Sequence, residues 1–408
     1  MPARADALPR APPVPADAAP DARLPRARGA REPPAAQVRA LEVRRDEPRL
    51  RRLRRPPGRA LDEVAHAALR GGGGPGRRPG PGVGVRVLLV GVGRWGEKHL
   101  RVLRALGADV WVADLSAERR QWALRQGVDA ARVVDDHRRA LGAVDAVDVV
   151  TPADSHAAIA GAALEAGRHC FVEKPMTGTV AEARRLAAAA RAAGRVVQVG
   201  HVFRFHPVTA TIREALAAAR LGAVRYASAR FTGFKRPRTD VGVTHTDAIH
   251  FVDLFAHLLG RPATTVTSVQ HDFLGRGLDD VSFTTVEYGD VPVVVEAGYL
   301  APGRARDCLV VGERGSLVAD YDAGTVVLHE GGFRHAGGAW EAVETGKEEL
   351  PVGSGEPLEL ELRAFLDACA GRRAPAVTAE DGAAALEVVE AAALSARLRR
   401  AVSIDEVR

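Results

Sequence analysis

The stretch from Val85 to Gly96, which reads VRVLLVGVGRWG, constrains the fold of this chain more than any other part of the sequence. Its first six residues, Val85–Val90, are mostly apolar and do not alternate, as expected of a strand that is buried on both faces. Gly91, Gly93 and Gly96 follow with the spacing G-x-G-x-x-G, and a helical pattern opens after them. This order of strand, glycine turn and helix is typical of a dinucleotide-binding unit.

Each element of such a unit has a role. The first glycine permits the tight turn, the second lets the backbone approach the pyrophosphate, and the third lets the helix pack close to the strand. Asp114 ends the second predicted strand about 20 residues further on, where an acidic residue binds the ribose hydroxyls of NAD and disfavours NADP. The alternative is a glycine-rich turn in another kind of α/β domain. The predicted cofactor contacts of the turn are Gly91, Val92, Gly93, Arg94, Trp95 and Gly96.

Residues 1–84 differ in composition from the rest. Residues 1–80 contain 18 Arg and no Lys against 9 Asp and Glu, and 15 of the 25 prolines lie within residues 1–81. Such a segment buries too little apolar surface to offset the entropy lost on ordering. We predict a disordered extension that ends in a glycine linker. It is either an arm for an anionic partner or an extension without function, and no aromatic residues interleave its arginines as nucleic-acid stacking would favour.

Charge and cysteine content narrow the possible partners. The net charge of +6 comes from residues 1–80, so it does not indicate that the remainder binds nucleic acid. No apolar run approaches the length of a membrane-spanning helix. Cys170, Cys308 and Cys369 are widely separated and odd in number. This pattern predicts a reduced, cytoplasmic protein without a disulfide framework or a metal site.

Residues 85–200 alternate strand-like runs with amphipathic helical segments. This alternation predicts an α/β domain of the Rossmann type, with a parallel sheet whose ligands bind beyond the carboxyl ends of the strands. The predicted strands are Val85–Val90, Asp109–Ala113, Arg132–Val134, Ala146–Val150, His169–Val172 and Val196–Val199.

Two of those strand ends carry polar residues. One is the segment TPADSH, in which we expect Thr151, Pro152 and His156 to lie at the nicotinamide edge. The other is EKP, which places Glu173 and Lys174 at the carboxyl edge of the sheet. From the residues alone, Lys174 is equally compatible with a surface salt bridge.

The glycine turn with Asp114, the T-P…H segment, E-K-P and the later GHVFRFHP together resemble the glucose–fructose oxidoreductase and inositol dehydrogenase family, often written Gfo/Idh/MocA. The resemblance extends from about Val85 to the C-terminus. It implies an NAD-dependent oxidoreductase that transfers a hydride between the nicotinamide and a secondary hydroxyl of a sugar, nucleotide sugar or cyclic polyol. It also implies that Lys174 holds the reacting hydroxyl and that a cis peptide precedes Pro175.

Residues 201–408 are predicted to form an α+β domain with a large, mostly antiparallel open sheet. Its helices Leu358–Cys369 and Ala379–Leu398 are expected to return to the first domain. The open face of the sheet would suit a homo-oligomer, either a dimer or a tetramer. Arg204 either contacts a substrate oxygen or phosphate or lies at the domain interface. The predicted strands are Ala223–Phe234, Thr264–Phe273, Val281–Tyr288, Val291–Leu300, Asp307–Val311, Ser316–Asp320 and Thr325–His329.

The helix within Val243–Gly260 carries the polar residues of this half. Asp247, His250 and Asp253 are three residues apart and share one side of a helix. A lone helical histidine is more often a core or surface residue, but the resemblance makes His250 the general base. The family aspartate commonly stands four residues before this histidine, where Thr246 is found here. Either Asp247 takes that role from a shifted helix, or the proton is handled differently.

Lys235, Arg236 and Arg238 precede that helix, and they either grip a substrate carboxylate or diphosphate or belong to a solvated loop. Three functions from different classes remain. We favour the sugar or polyol dehydrogenase over a glycoside-cleaving enzyme that uses bound NAD for a transient oxidation. The third is a non-catalytic NAD-binding regulator, which would not need Lys174 and His250.

Overall fold

The computed structural model describes residues 84–408. The predicted disorder of residues 1–84 therefore falls almost entirely outside the described residues. Within them, the chain forms two sheets, one after the other along the sequence.

The first sheet has six parallel strands in the order β3-β2-β1-β4-β5-β6, which confirms the predicted Rossmann-type topology. β1 is fully buried from Val87 to Leu89, in agreement with its non-alternating sequence. The strands are β1 Arg86–Val90, β2 Asp109–Ala113, β3 Val133–Val134, β4 Ala146–Val149, β5 His169–Glu173 and β6 Val197–Gly200. The helices between them are α1 Gly96–Ala105, α2 Ala117–Arg125, α3 Ala153–Glu165 and α4 Val180–Ala193.

Local sequence signals set the ends of these helices. The Thr179 hydroxyl accepts from the N–H of Glu182 at the start of α4, and Gly194 ends the helix with φ of 59°. Both residues have the preferences expected of helix caps.

The second sheet has nine strands in the order β14-β13-β12-β11-β7-β10-β9-β8-β15, after α5 Pro207–Ala217. Only the pairing of β10 with β7 is parallel, so the sheet is mostly antiparallel as predicted. A helix, α6 Ile249–Leu259, lies between the first two of its strands in the chain. The strands are β7 Val224–Gly233, β8 Thr265–His271, β9 Val281–Tyr288, β10 Val291–Gly298, β11 Arg304–Gly312, β12 Gly315–Asp320, β13 Thr325–Ala336, β14 Ala339–Leu350 and β15 Val402–Ser403.

The sequence prediction missed β14 and ended β13 seven residues early, at His329 instead of Ala336. These two strands form a hairpin at the edge of the sheet, and most side chains of β14 are exposed. Only Leu350, the last residue of β14, joins the core, so the strand has no alternating apolar residues for a pattern to detect.

The last two helices, α7 Pro357–Cys369 and α8 Ala379–Leu398, pack on the first domain as predicted. Leu362 and Phe365 of α7 join the core beside β1. On α8, a Cβ at Gly382 would lie 2.6 Å from Val199 Cγ2, so only glycine allows this close approach to β6. α8 also packs on β8, so it connects the second sheet to the first domain.

Candidate active site

A cleft of about 670 Å³ opens at the carboxyl ends of the first sheet and is closed on its other side by the second domain. It brings together residues that the sequence analysis selected from five separate segments. The predicted residues that line it are Gly93, Arg94, Trp95, Thr151, Pro152, His156, Glu173, Lys174, Lys235, Arg236, Asp247 and His250.

The glycine turn has the shape that a dinucleotide requires. Gly91 has φ of 89°, a conformation that side chains rarely adopt. A Cβ at Gly96 would lie 2.1 Å from the carbonyl oxygen of Gly91, so α1 starts in contact with the turn. A Cβ at Gly93 would meet nothing within 4 Å, and the backbone there is open to a ligand. The turn therefore fits a pyrophosphate placed at the start of α1.

Asp114 lies behind this turn. Its Oδ2 accepts from the N–H of Val92 at 2.8 Å, and its Oδ1 accepts from Ser116. Arg119 is engaged by Glu97 at 2.6 Å, and Arg120 donates to the carbonyl of Asp114. Both nearby arginines are thus held by other groups, and the carboxylate remains at the position that contacts a ribose in this fold.

His156 connects two loops of the first domain. Its ring nitrogens lie 3.0 Å from the carbonyl oxygen of Pro175 and 2.8 Å from that of Thr151. Burial lowers its pKa. The ring thus lines the cleft, but both nitrogens contact backbone carbonyls, so its contribution to a cofactor site is to hold the two loops together.

The sequence analysis overlooked a buried charged network beneath the cleft. His99 is fully buried, with Nδ1 at 2.9 Å from Asp148 and Nε2 at 3.3 Å from Glu173. Burial by itself lowers the pKa of His99, but the two carboxylates outweigh it and raise the pKa to about 10. Trp95 Nε1 also donates to Glu173 at 2.7 Å. The available signal was a histidine on the apolar face of α1 together with an aspartate in a buried strand.

Lys174 extends from β5 across the cleft. Its Nζ donates to the carbonyl oxygen of Thr246 at 2.6 Å. Burial lowers the pKa of Lys174 to about 8, although Asp247 and Glu173 act in the opposite direction. The peptide bond between Lys174 and Pro175 is cis, as the resemblance implies.

His250, in the first turn of α6, packs against two aromatic rings that also contact each other. Its ring centroid is 4.9 Å from that of Phe203 and 5.3 Å from that of Phe231, and the interplanar angle to Phe231 is 14°. Burial, followed by the charge of Lys174, lowers the pKa of His250 well below its usual value. The imidazole is consequently neutral at physiological pH and able to accept a proton.

A π-helical turn, Thr244–Ala248, precedes α6 and was not predicted. The Thr246 hydroxyl lies 2.6 Å from the Tyr299 hydroxyl, and Asp247 forms an ion pair with Lys235 at 2.6 Å. Because a π turn is wider than an α turn, residues 246 and 247 both reach the cleft. No sequence signal identified Tyr299, which directly follows β10.

The position of Arg204 differs from that expected of a substrate-binding residue. It does not line the cleft: its side chain is buried, with Nε 2.8 Å from Asp253 and Nη1 3.3 Å from Asp381. These two carboxylates raise its pKa despite burial. Arg204 therefore ties α6 to α8, and the alternative interpretation as an interface arginine describes its contacts.

Two general features of the described residues bear on the site. Residues 84–408 contain no group of three or more His, Cys, Asp or Glu side chains arranged to hold a metal ion. In the same part of the chain, no helix combines the length and the apolar character needed to cross a membrane.

Comparisons with known proteins agree with this architecture. The chain is 32% identical to "Inositol 2-dehydrogenase 1" of Saccharopolyspora erythraea over 75% of its length and 92% of that protein. It is 35% identical to "UDP-N-acetylglucosamine 3-dehydrogenase" of Acidithiobacillus ferrooxidans, over 45% of the chain and 58% of that protein. The solved structure of the latter enzyme superposes with a TM-score of 0.68 at 25% identity, covering 77% of this chain and 98% of that one.

The family match has two parts. Residues 85–201 match the "Oxidoreductase family, NAD-binding Rossmann fold" and residues 213–404 match the "Oxidoreductase family, C-terminal alpha/beta domain". The chain therefore belongs to the Gfo/Idh/MocA family of NAD-binding oxidoreductases.

Proposed function

We propose that this protein is an NAD-dependent dehydrogenase that acts on a secondary hydroxyl of a sugar, nucleotide sugar or cyclic polyol. The observation that carries the proposal is the hydrogen bond from Lys174 Nζ to the carbonyl oxygen of Thr246, because it joins the EKP strand end to the turn before His250 in one cleft. The relatives named for an inositol and for a nucleotide sugar support this class of substrate.

In this proposal His250 is the general base. Its imidazole is neutral because its pKa is depressed, so it accepts the proton of the substrate hydroxyl. The ring of Phe231 lies nearly parallel to the imidazole and that of Phe203 packs against it at 30°, so both restrict its orientation in the cleft. A fixed orientation is what a proton transfer at hydrogen-bonding distance requires.

Lys174 acts on the same substrate oxygen. One of its three N–H groups donates to Thr246, which leaves two for a ligand in the cleft. Its positive charge stabilises the negative charge that develops on the oxygen as the proton leaves. The carboxylate of Glu173, next to Lys174 in the chain, pairs with the imidazolium of His99 below it. These two charges set the electrostatic environment of the lysine.

The glycine turn, Asp114 and Thr151 are the residues that would hold NAD. When bound, NAD supplies the hydride-accepting chemistry that no protein side chain provides. The protein contributes the orientation of the substrate and the movement of the hydroxyl proton.

The test is reduction of NAD, followed by absorbance, across a panel of polyols, hexoses, uronic acids and nucleotide sugars. With the best substrate, His250→Gln and Lys174→Met should each lower turnover by about 10²- to 10⁴-fold, and NAD affinity should stay near wild type. His257→Gln, on the same helix but outside the cleft, and Lys347→Met, on β14, are matched controls.

The same panel separates the alternatives. A glycoside-cleaving enzyme would retain NAD through purification and release a sugar without net reduction of the cofactor. A non-catalytic regulator would bind NAD and turn over nothing, and both variants would behave as wild type. Either result would refute the dehydrogenase.

We propose a cytoplasmic location for this enzyme. The three cysteines support it, because none is paired: Cys170 and Cys308 are buried and Cys369 is half-buried. Thiols remain reduced in the cytoplasm and rarely stay unpaired in an oxidising compartment.

A further inference from the structure

The charges lining the cleft are unequal in number. Six cationic side chains face two carboxylates, which belong to Glu173 and Asp247. The cationic residues are Arg94, Lys98, Lys174, Lys235, Arg236 and Arg238. An excess of this size in a confined site attracts an anion, because the low-dielectric walls screen the charges less than water does.

Several of these cations already have a carboxylate partner within the protein. Lys235 pairs with Asp247 at 2.6 Å, and Arg238 donates through Nε to Asp240 at 2.8 Å. The buried group formed by His99, Asp148, Glu173 and Lys174 contains two cations and two anions. These sets contribute little net charge to the site.

Arg306 adds a second, independent observation. Its side chain is only 7% exposed, and its guanidinium carbon lies 3.5 Å from the ring centroid of Phe231, which lines the cleft. Nη1 donates to the carbonyl oxygens of Thr232 and Ala305 at 2.6 and 2.7 Å, and within residues 84–408 Arg306 forms no ion pair. Asp247 and Asp322 act on its charge only from beyond ion-pair distance, and Asp247 is already paired with Lys235, so a ligand that supplies an anion is favoured.

The cofactor does not account for this charge. Arg94 and Lys98 lie beside the glycine turn, and the diphosphate of NAD matches them in sign and number. Arg236 and Arg306 belong to the second domain, on the side of Phe231 and Lys235. The nicotinamide of oxidised NAD is itself cationic and adds to the excess there.

We propose that the substrate carries a carboxylate or a phosphate in addition to the reacting hydroxyl, and that Arg236 binds this anionic group. This inference rests on the proposed function and narrows its substrate class. Arg236 is exposed on the loop before the π turn and has no carboxylate partner in the described part of the chain. Its planar guanidinium donates two parallel hydrogen bonds to either anion, and the unpaired charge of Arg306 strengthens the attraction.

The test compares matched pairs of ligands by calorimetry on the full chain saturated with NADH, which cannot accept a hydride from the hydroxyl ligand, so that binding is measured without oxidation. Glucuronate is paired with glucose and galacturonate with galactose for the carboxylate. Hexose monophosphates and inositol monophosphate are paired with their neutral parents for the phosphate. In one of these two arms we expect the acidic ligand to bind at least about tenfold more tightly, a difference of about 1.4 kcal/mol, and the advantage to shrink with added salt.

A variant then locates the anion site. Arg236→Gln should reduce the preference for the acidic ligand about tenfold. Arg373→Gln removes an exposed arginine outside the cleft and should preserve that preference. Equal binding within every pair, no binding of any acidic ligand, or an unaltered preference in Arg236→Gln would overturn the inference.

NAD reduction with the same ligands keeps the two proposals distinguishable. Reduction by neutral sugars alone would support the dehydrogenase and reject the anionic substrate. Tight binding of an acidic sugar without any reduction would support the anion site and reject the dehydrogenase.

Discussion

Lys174 Nζ lies 2.6 Å from the carbonyl oxygen of Thr246, so a lysine of the first domain donates to the wide turn that carries Asp247 in the second. This contact places the lysine beside two carboxylates of different origin, Glu173 and Asp247, which act against the effect of burial on its pKa. The ionisation of Lys174 therefore depends on the closure of the two domains on each other.

The pH dependence of the oxidation reaction should reflect this lysine. In the proposed mechanism the protonated form stabilises the substrate oxygen, so kcat/KM should fall as pH rises through about 8, the pKa of Lys174. The acid limb should lie well below the usual histidine range, since the pKa of His250 is depressed. Lys174→Met should lose the basic limb, and Lys347→Met should retain it. Retention of the limb in Lys174→Met would assign it to another group.

Asp247 and Thr246 should differ in their effect on that limb. Asp247→Asn removes a carboxylate that raises the pKa of Lys174, so the basic limb should move to lower pH. Thr246→Val removes the hydroxyl but keeps the backbone carbonyl that accepts from Lys174, so the limb should stay in place. The measurement is the pH profile of kcat/KM for both variants. The opposite pattern would give Thr246 the electrostatic role.

His99 should stabilise the fold through its charge. Its pKa rises from 6.5 to about 10 on folding, so its contribution is fully present below pH 6.5 and is lost as pH increases through 10. His99→Gln leaves Asp148 and Glu173 buried without their cation and should lower the free energy of unfolding by about 3–5 kcal/mol at neutral pH. Denaturant unfolding checks this, with His257→Gln as control. An equal loss in both variants would contradict a charge effect.

NAD should bind more tightly than NADP. Asp114 disfavours a 2′-phosphate, and Arg119 is engaged by Glu97. Asp114→Ser should shift the ratio of the two dissociation constants toward NADP by about tenfold, or about 1.4 kcal/mol. Fluorescence titration of both cofactors measures the ratio, and Glu118→Gln, an exposed carboxylate of α2, should leave it unchanged. A wild type that prefers NADP would contradict the role of Asp114.

The outer face of the second sheet should join copies of this chain. Large apolar side chains on five of its strands are between 43% and 53% exposed: Tyr226, Val269, Phe283, Val294 and Val318. A patch of this kind on a sheet favours association. Val294→Asp should lower the mass measured by light scattering to that of a monomer, whereas Leu398→Asp, at the end of α8, should not. A monomeric wild type would refute the prediction.

Much of this molecule followed from sequence because the relevant signals are local. The glycine turn requires a strand before it and a helix after it, and the non-alternating, mostly apolar run Val85–Val90 predicts a strand buried on both faces. The same reasoning located Lys174 and His250, with help from the resemblance to a family. It did not predict β14, in which only the last residue, Leu350, joins the core and which has no apolar alternation.

Tertiary structure decided the remaining features, since each depends on residues far apart in the chain. The pKa of His99 is raised because β4 and β5 place Asp148 and Glu173 beside it. Arg204 lies outside the cleft, where its side chain pairs with Asp381 of α8. The packing of three separate segments places Tyr299, Phe203 and Phe231 in the site. The sequence thus determined the two kinds of domain and identified Lys174 and His250 as candidate catalytic residues. The ionisation of those residues was decided by folding, because burial and neighbouring charges exist only in the folded chain.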